Sequence, residues 1–223
     1  MEKHKMTKHE MKEDKFVTTM VQGASYAKEN MQSVIIMVLV LVVLVAGIVI
    51  LKNYSNSKAE KAQSLLGIAQ VAYQANEFSE ARDSLLVLVD KYPKTDAYKV
   101  GSFLLGHIYY SSGSPDSAEI YWNAFLQSGF EDMDMIIGAR AGLAGVKSDR
   151  AEYKSAAFDL EALYNEYPEY FDRANLLYKA ALNYKSAGNP QKTKELLTQF
   201  IEEYPENPMI VKAKFFLSAS EAV

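Results

Sequence analysis

The sequence predicts an all-α protein in which an N-terminal transmembrane helix is followed by an α-solenoid of paired helices. Three observations carry this. Residues Val34 to Leu51 include no charged or polar side chain. Beyond them, Ala81, Ala118, Ala156 and Thr193 recur 37, 38 and 37 positions apart. Between these markers the bulky apolar residues fall three or four apart, the spacing of one helix face rather than of a strand.

Of the 18 residues from Val34 to Leu51, 15 are Val, Ile or Leu; the others are Met37, Ala46 and Gly47. As a helix the run is ~27 Å long, close to the ~30 Å of a hydrocarbon core. Its aliphatic residues favour insertion by ~6 kcal/mol. Their β-branching argues for strand in water, but in lipid the backbone must satisfy its own hydrogen bonds, and helix wins. A cleaved signal peptide is the competing reading. It requires a shorter apolar stretch and a small-residue cleavage site, whereas Lys52-Asn53-Tyr54 follows here. The run is therefore expected to be retained as a signal anchor contacting the lipid bilayer. The domain plan is a leader at 1–32, a membrane helix at 33–52 and a repeat domain at 60–223.

Six lysines precede the span (Lys3, Lys5, Lys8, Lys12, Lys15 and Lys28), against Lys52, Lys58 and Lys61 just after it. An excess of positive charge on the N-terminal side predicts a cytoplasmic N-terminus and a translocated repeat domain. Close to the span the lysine bias disappears, so the opposite orientation stays open. In the leader, Thr7 and Glu10 have capping-box spacing. Phe16, Val17, Met20, Val21, Ala24, Ala27 and Met31 then recur at helical intervals. Either an amphipathic helix on the membrane surface or a partner, or a weakly structured tail, accounts for them. His4 and His9 are five apart and fall on different helix faces, which disfavours metal binding.

Each unit has the same internal grammar. Phe78-Ser-Glu-Ala81 precedes Tyr92-Pro93, Tyr153-Lys-Ser-Ala156 precedes Tyr167-Pro168, and Pro190-Gln-Lys-Thr193 precedes Tyr204-Pro205. Pro115-Asp-Ser-Ala118 fits too, with Phe130 where proline would fall. Proline cannot continue a helix that precedes it, so Tyr-Pro marks helix ends. Turn signals divide each unit into two helices: Asn76-Glu77, Ser112-Gly113-Ser114-Pro115, Ser148-Asp149 and Gly188-Asn189-Pro190. Small residues at Ala69, Gly106, Ala144 and Ala181 let paired helices approach. The second helices present Leu85 and Leu88, Trp122 and Phe125, Leu160 and Leu163, Leu197 and Phe200 for burial. Pro208 to Ala219 form one more helix, expected to be the solvating cap of the array. Gly138, Gly142 and Gly145 are read as permitting tight packing, with a GxxxG-like helix contact as the alternative.

This grammar resembles the tetratricopeptide repeat, lengthened by about three residues between units. Arg140 and Lys147 make the third first-helix atypical, and the second unit lacks its proline. The resemblance implies a protein-binding solenoid whose first helices line a groove. Its register puts Tyr73, Phe103, His107, Tyr110 and Tyr178 on that surface, with Gln63, Gln70 and Gln74 nearby. Inter-repeat packing is the equal alternative for each of them. Some tetratricopeptide domains grip a C-terminal carboxylate with Lys, Arg and Asn. The equivalent residues here are mostly aromatic, neutral or small, so that clamp is not expected. Aromatic anchors suit an extended or helical peptide.

Chemistry has no foothold. Phosphate-binding glycine loops, HExxH and GxSxG are absent from the sequence, and no enzyme, cofactor, metal site or small-molecule substrate is expected. With no cysteine, disulfides and thiolate catalysis are excluded. A net charge of −4 leaves no basic footprint for nucleic acid. Glu131-Asp132-Met133-Asp134 is read as a loop and helix start, where acidic residues oppose the helix dipole.

The layout of a lysine-rich leader, one membrane helix and a repeat domain rich in alanine and tyrosine is similar to the bacterial ancillary Sec-translocon subunits. Related domains occur in an envelope protein that coordinates cell division. That resemblance implies an inner-membrane protein whose repeats face the periplasm and meet translocon, chaperones or emerging polypeptides. A scaffold that oligomerises through its convex face or cap helix, and a cytosol-facing tethered receptor, are the alternatives.

Overall fold

The computed structural model describes residues 17–24, 28 and 30–221, which form helices and connecting turns with no strand among them. Two compact units divide the chain, Met1–Ser57 and Lys58–Val223. In the first unit residues 17–24 are helical, with Val17, Met20 and Val21 exposed. Thr7, Glu10, His4, His9, Phe16 and Ala27 lie outside the described residues. Helix α1 (Met31–Gln74) follows and runs unbroken through residues 52–59. By length and composition it is the one helix among the described residues able to cross a membrane. Its large apolar side chains from Ile35 to Leu51 are all exposed.

In the second unit the C-terminal part of α1 begins a series of helix pairs. The remaining helices are α2 (Phe78–Lys91), α3 (Asp96–Ser111), α4 (Pro115–Gln127), α5 (Met133–Asp149), α6 (Tyr153–Glu166), α7 (Arg173–Ser186), α8 (Pro190–Glu203) and α9 (Ile210–Glu221). First helices α1, α3, α5 and α7 alternate with second helices α2, α4, α6 and α8. From α2 onward each helix packs on the next, and α3 also meets α5. The marker residues Ala81, Ala118, Ala156 and Thr193 are fully buried, as are the eight bulky residues expected from the second helices. A helix that contributes a small residue at the crossing and two large ones beyond it can approach its partner closely and still fill the space.

The repeat also appears in the backbone. Asn76, Gly113, Ala151 and Gly188 have φ values of 62°, 74°, 61° and 71°. Each stands five residues before its marker, so one left-handed residue turns the chain in every unit. The third turn falls later than Ser148-Asp149, because α5 continues through Asp149. Helices α2, α6 and α8 stop immediately before their Tyr-Pro pairs. Where the second unit lacks proline, Gly129 at φ 67° ends α4 instead, and the Phe130 ring packs 5.8 Å from Phe125. Glycine in this conformation closes a helix without the steric cost other residues bear.

The atypical charges of α5 have partners on α6. Lys147 bonds Asp159 at 2.5 Å, and Arg140 reaches Glu166 at 3.4 Å and the Tyr167 hydroxyl at 3.2 Å. Asp132 caps α5 by accepting the Met135 N–H at 3.0 Å. At the far end α9 starts at Ile210 rather than Pro208. Its Ile210, Ala213, Phe216 and Leu217 cover the C-terminal core, but Val211 and Phe215 stay exposed. The terminal helix is therefore only partly the polar cap expected of it.

Candidate protein-binding surface

The first-helix face is built around Trp122. This second-helix indole is almost completely buried between two first helices, and glycine makes the room on both sides. A Cβ on Gly106 of α3 would lie 2.4 Å from the indole, and one on Gly142 of α5 would lie 2.5 Å from it. On the same face of α5, Gly138 lies under the Phe103 ring and Gly145 under Tyr110, where an added Cβ would come to 3.4 Å and 2.7 Å. The three glycines of α5 thus serve aromatic packing from α3 and α4.

Phe103, His107 and Tyr110 meet around this indole. The His107 ring lies 4.6 Å from Phe103 and 5.3 Å from Trp122, and Tyr110 lies 5.5 Å from Trp122. All three are half-buried, with part of each side chain facing solvent. Burial, and then the nearby charge of Lys179, pushes the His107 imidazole below its ordinary value. Burial raises the Tyr110 phenol, and the charge of Asp149 and a hydrogen bond to it add to that rise. The surface is thus a wall of half-buried aromatic rings resting on the glycine face of α5.

The other two expected residues lie elsewhere. Tyr73 is half-buried on α1 and packs edge-on to Phe78 at 5.4 Å. Tyr178 is only 6% exposed, its ring 5.3 Å from Phe200, so it is a core residue. The repeat register alone puts it on the groove, but its neighbours close over it. Gln63, Gln70 and Gln74 are exposed on α1. Lys179, Leu182 and Lys185 share the α7 face that Tyr178 was expected to occupy, and their three-residue spacing was available in the sequence.

With this geometry, comparison with known proteins is specific. The tetratricopeptide repeat-like domain family matches residues 25–175, and a tetratricopeptide repeat matches residues 176–207. The chain belongs to the tetratricopeptide repeat-like family. Among solved structures it is similar to a tetratricopeptide repeat protein from Parabacteroides merdae, at 18% identity and a TM-score of 0.60. That match covers 73% of this chain and 61% of the other, so this chain spans less than two thirds of its relative's length. A MamA protein aligns at 18% identity, covering 72% of this chain and 81% of its own, with a TM-score of 0.59. PilF of Pseudomonas aeruginosa aligns at 15% identity over 74% and 71% of the two chains, with a TM-score of 0.57. At these identities the likeness is one of fold. No curated protein sequence matches the chain. Repeats of this family make protein–protein adaptors, and nothing in the fold or the matches speaks for catalysis.

Proposed function

We propose that the chain is a membrane-anchored adaptor that binds polypeptide segments on its first-helix face, at a Sec-translocon or another envelope-assembly site. The observation that carries the reading is the Phe103–His107–Tyr110 wall, where half-buried aromatics rest on the glycine face of α5. Rigid aromatic anchors contribute most of the affinity in such contacts. The exposed apolar run of α1 supports a bilayer anchor, and the lysines before it support a cytoplasmic N-terminus in a bacterial inner membrane. Photo-crosslinkers at positions 103 and 110 are expected to capture translocating polypeptides, translocon subunits or chaperones. Capture of no polypeptide from either position overturns the reading. Protease protection of the repeat domain in sealed cells tests its orientation; digestion from the cytosolic side replaces it with a cytosol-facing receptor.

A scaffold that self-associates is favoured by one observation, the exposed Val211 and Phe215 on terminal helix α9. It predicts concentration-dependent association of the chain in sedimentation, abolished by Phe215→Ser. A monomer at all concentrations removes it.

A further inference from the structure

The repeat array has an open side on its first helix. By the repeat spacing of 37, 38 and 37 residues, Ser64, Ile68 and Val71 of α1 correspond to Gly101, Leu105 and Ile108 of α3. On α7 they correspond to Leu176, Ala180 and Asn183. All six of these counterparts are buried. The preceding second helix covers them: a Cβ on Gly101 would lie 2.4 Å from Leu88 and 3.5 Å from Leu85 of α2. On α1 the same positions are bare, with Ser64 exposed, Ile68 57% exposed and Val71 69% exposed. The helix itself continues back to Met31, so among the described residues no second helix precedes it.

Gly67 repeats the contrast. Its counterpart on α5 is Gly142, which makes room for the Trp122 indole of the preceding second helix. Every other helical glycine between Lys58 and Val223 has a neighbouring side chain within 3.4 Å of an added Cβ, whereas Gly67 has nothing within 4 Å. Glycine weakens a helix, and elsewhere in this array it stands where another helix comes close. The bare face of α1 therefore continues the stacking interface that joins each second helix to the first helix after it.

We infer that the face formed by Ser64, Gly67, Ile68 and Val71 packs against the same face of a second copy of this chain, with the two α1 helices parallel. This rests on the proposed membrane anchor. Two copies anchored in one bilayer enter it in the same direction, and the face belongs to the unbroken helix that carries the apolar run. A few residues are far fewer than the ~20–30 a side of a complex that is stable in solution. Confinement to one bilayer supplies the effective concentration that so small a face needs. Charge favours the parallel arrangement. Glu60 and Lys61, both exposed one turn before Ser64, lie on opposite flanks of the face, ~100° apart around the helix. In a parallel two-fold pair each flank meets the opposite flank of the other copy, so each carboxylate meets an ammonium. The second helices of another copy are not available as a cover, because their large apolar residues, Leu85 and Leu88 among them, are already buried.

The sequence has no cysteine, so the test is disulfide formation between single cysteines placed in the full chain and inserted in phosphatidylcholine vesicles. Ser64→Cys, Ile68→Cys and Val71→Cys are each expected to give a disulfide-linked dimer. Their yields should exceed several-fold those of Gln63→Cys and Gln70→Cys, which are exposed on another side of α1. Adding Gly67→Leu to Ile68→Cys should remove most of the dimer by holding the two helices apart. A Cβ at this position meets nothing inside the chain, and circular dichroism should show the fold of that variant unchanged. Phe215→Ser, on α9, should leave the dimer intact. No dimer, equal yields at all five positions, a dimer at only one face position, or one that survives Gly67→Leu overturns the inference. So does a photo-crosslinker at position 68 that marks another protein in native membranes and no second copy. Alkaline extraction of native membranes reads the anchor separately. A chain that stays with the lipid but forms no dimer removes the inference and leaves the anchored adaptor, whereas a chain released from the lipid removes the anchor and the inference with it.

Discussion

Trp122 lies against Gly142 so closely that a single methyl group on the glycine would sit 2.5 Å from the indole ring. The indole is rigid, wedged between α3 and α5, and cannot swing aside as the end of a flexible chain would. Gly142→Ala therefore forces apart two first helices at the centre of the array. Overpacking of this kind costs ~1–3 kcal/mol, more than the ~1 kcal/mol gained in helix propensity. Gly67 on α1 is the control, because an added Cβ there meets nothing within 4 Å. Gly67→Ala should stabilise by ~0.5–1 kcal/mol. Chemical denaturation of the two variants should shift the midpoint in opposite directions; shifts of the same sign refute the packing argument.

Ala151 is the alanine among the left-handed turn residues Asn76, Gly113, Ala151 and Gly188. A side chain at positive φ costs ~1–2 kcal/mol, and exchange for glycine relieves this while making the unfolded chain freer by ~0.4–1 kcal/mol. Ala151→Gly should therefore stabilise by up to ~1 kcal/mol, and Gly113→Ala and Gly188→Ala should destabilise by a similar amount. Thermal unfolding of the three variants checks the sign at each position. A loss of stability in Ala151→Gly would contradict the strain.

These turns also explain what was legible in the sequence. The period of Ala81, Ala118, Ala156 and Thr193 announced both the number of units and the buried crossing points, because a small residue is required wherever two helices touch. Tyr-Pro announced three helix ends for the equally local reason that proline lacks an N–H. The end of α4 was harder to read, since Gly129 performs there what proline performs elsewhere. The third turn was misplaced because Ala151 has no intrinsic preference for φ > 0; surrounding packing holds it there. Surface positions carry the weakest signal in the sequence. The register of Tyr178 matches that of Phe103, but exposure depends on how the next pair closes, and Phe200 covers the tyrosine. The charges of Arg140 and Lys147 depart from the first-helix pattern because their partners Glu166 and Asp159 lie on the following helix.

His107 and Glu161 give the fold two distinct responses to acid. Burial and the Lys179 charge hold the folded His107 below 6.5, so the unfolded chain binds more protons as pH drops through that value. Stability contributed by neutral His107 is present above 6.5 and declines as pH falls towards the folded value. Burial alone would raise Glu161, but hydrogen bonds from Lys192 at 2.9 Å and Tyr184 at 2.6 Å outweigh it and lower the carboxyl below 4.5. That contribution is complete above 4.5 and is lost as pH falls through the lowered value. Denaturation across this range should show one decline beginning near 6.5 that His107→Gln flattens, and a second below 4.5 that Glu161→Gln reduces, the lowered Glu203 carboxyl supplying part of the remainder. If His107→Gln leaves the upper decline intact, the imidazole is not its source.

Phe215 and Phe216 are adjacent in α9 but should respond very differently to truncation. Phe216 packs on the C-terminal core and carries the Lys185 ammonium 4.4 Å above its ring, whereas Phe215 is 67% exposed. Phe216→Ala removes core packing and a cation–π contact, at a cost of ~2–4 kcal/mol. Phe215→Ala removes a side chain already in water, and its effect should stay within ~0.5 kcal/mol. Because the C-terminal cluster extends through α5, α6, α7 and α8, loss of Phe216 should lower the stability of that half before the first helix pair is affected. Hydrogen exchange resolves the two: in Phe216→Ala, amides of α7 and α8 should exchange faster while those of α2 keep their protection. Equal loss in both halves would show that the array unfolds as one cooperative block, with α9 acting on all of it.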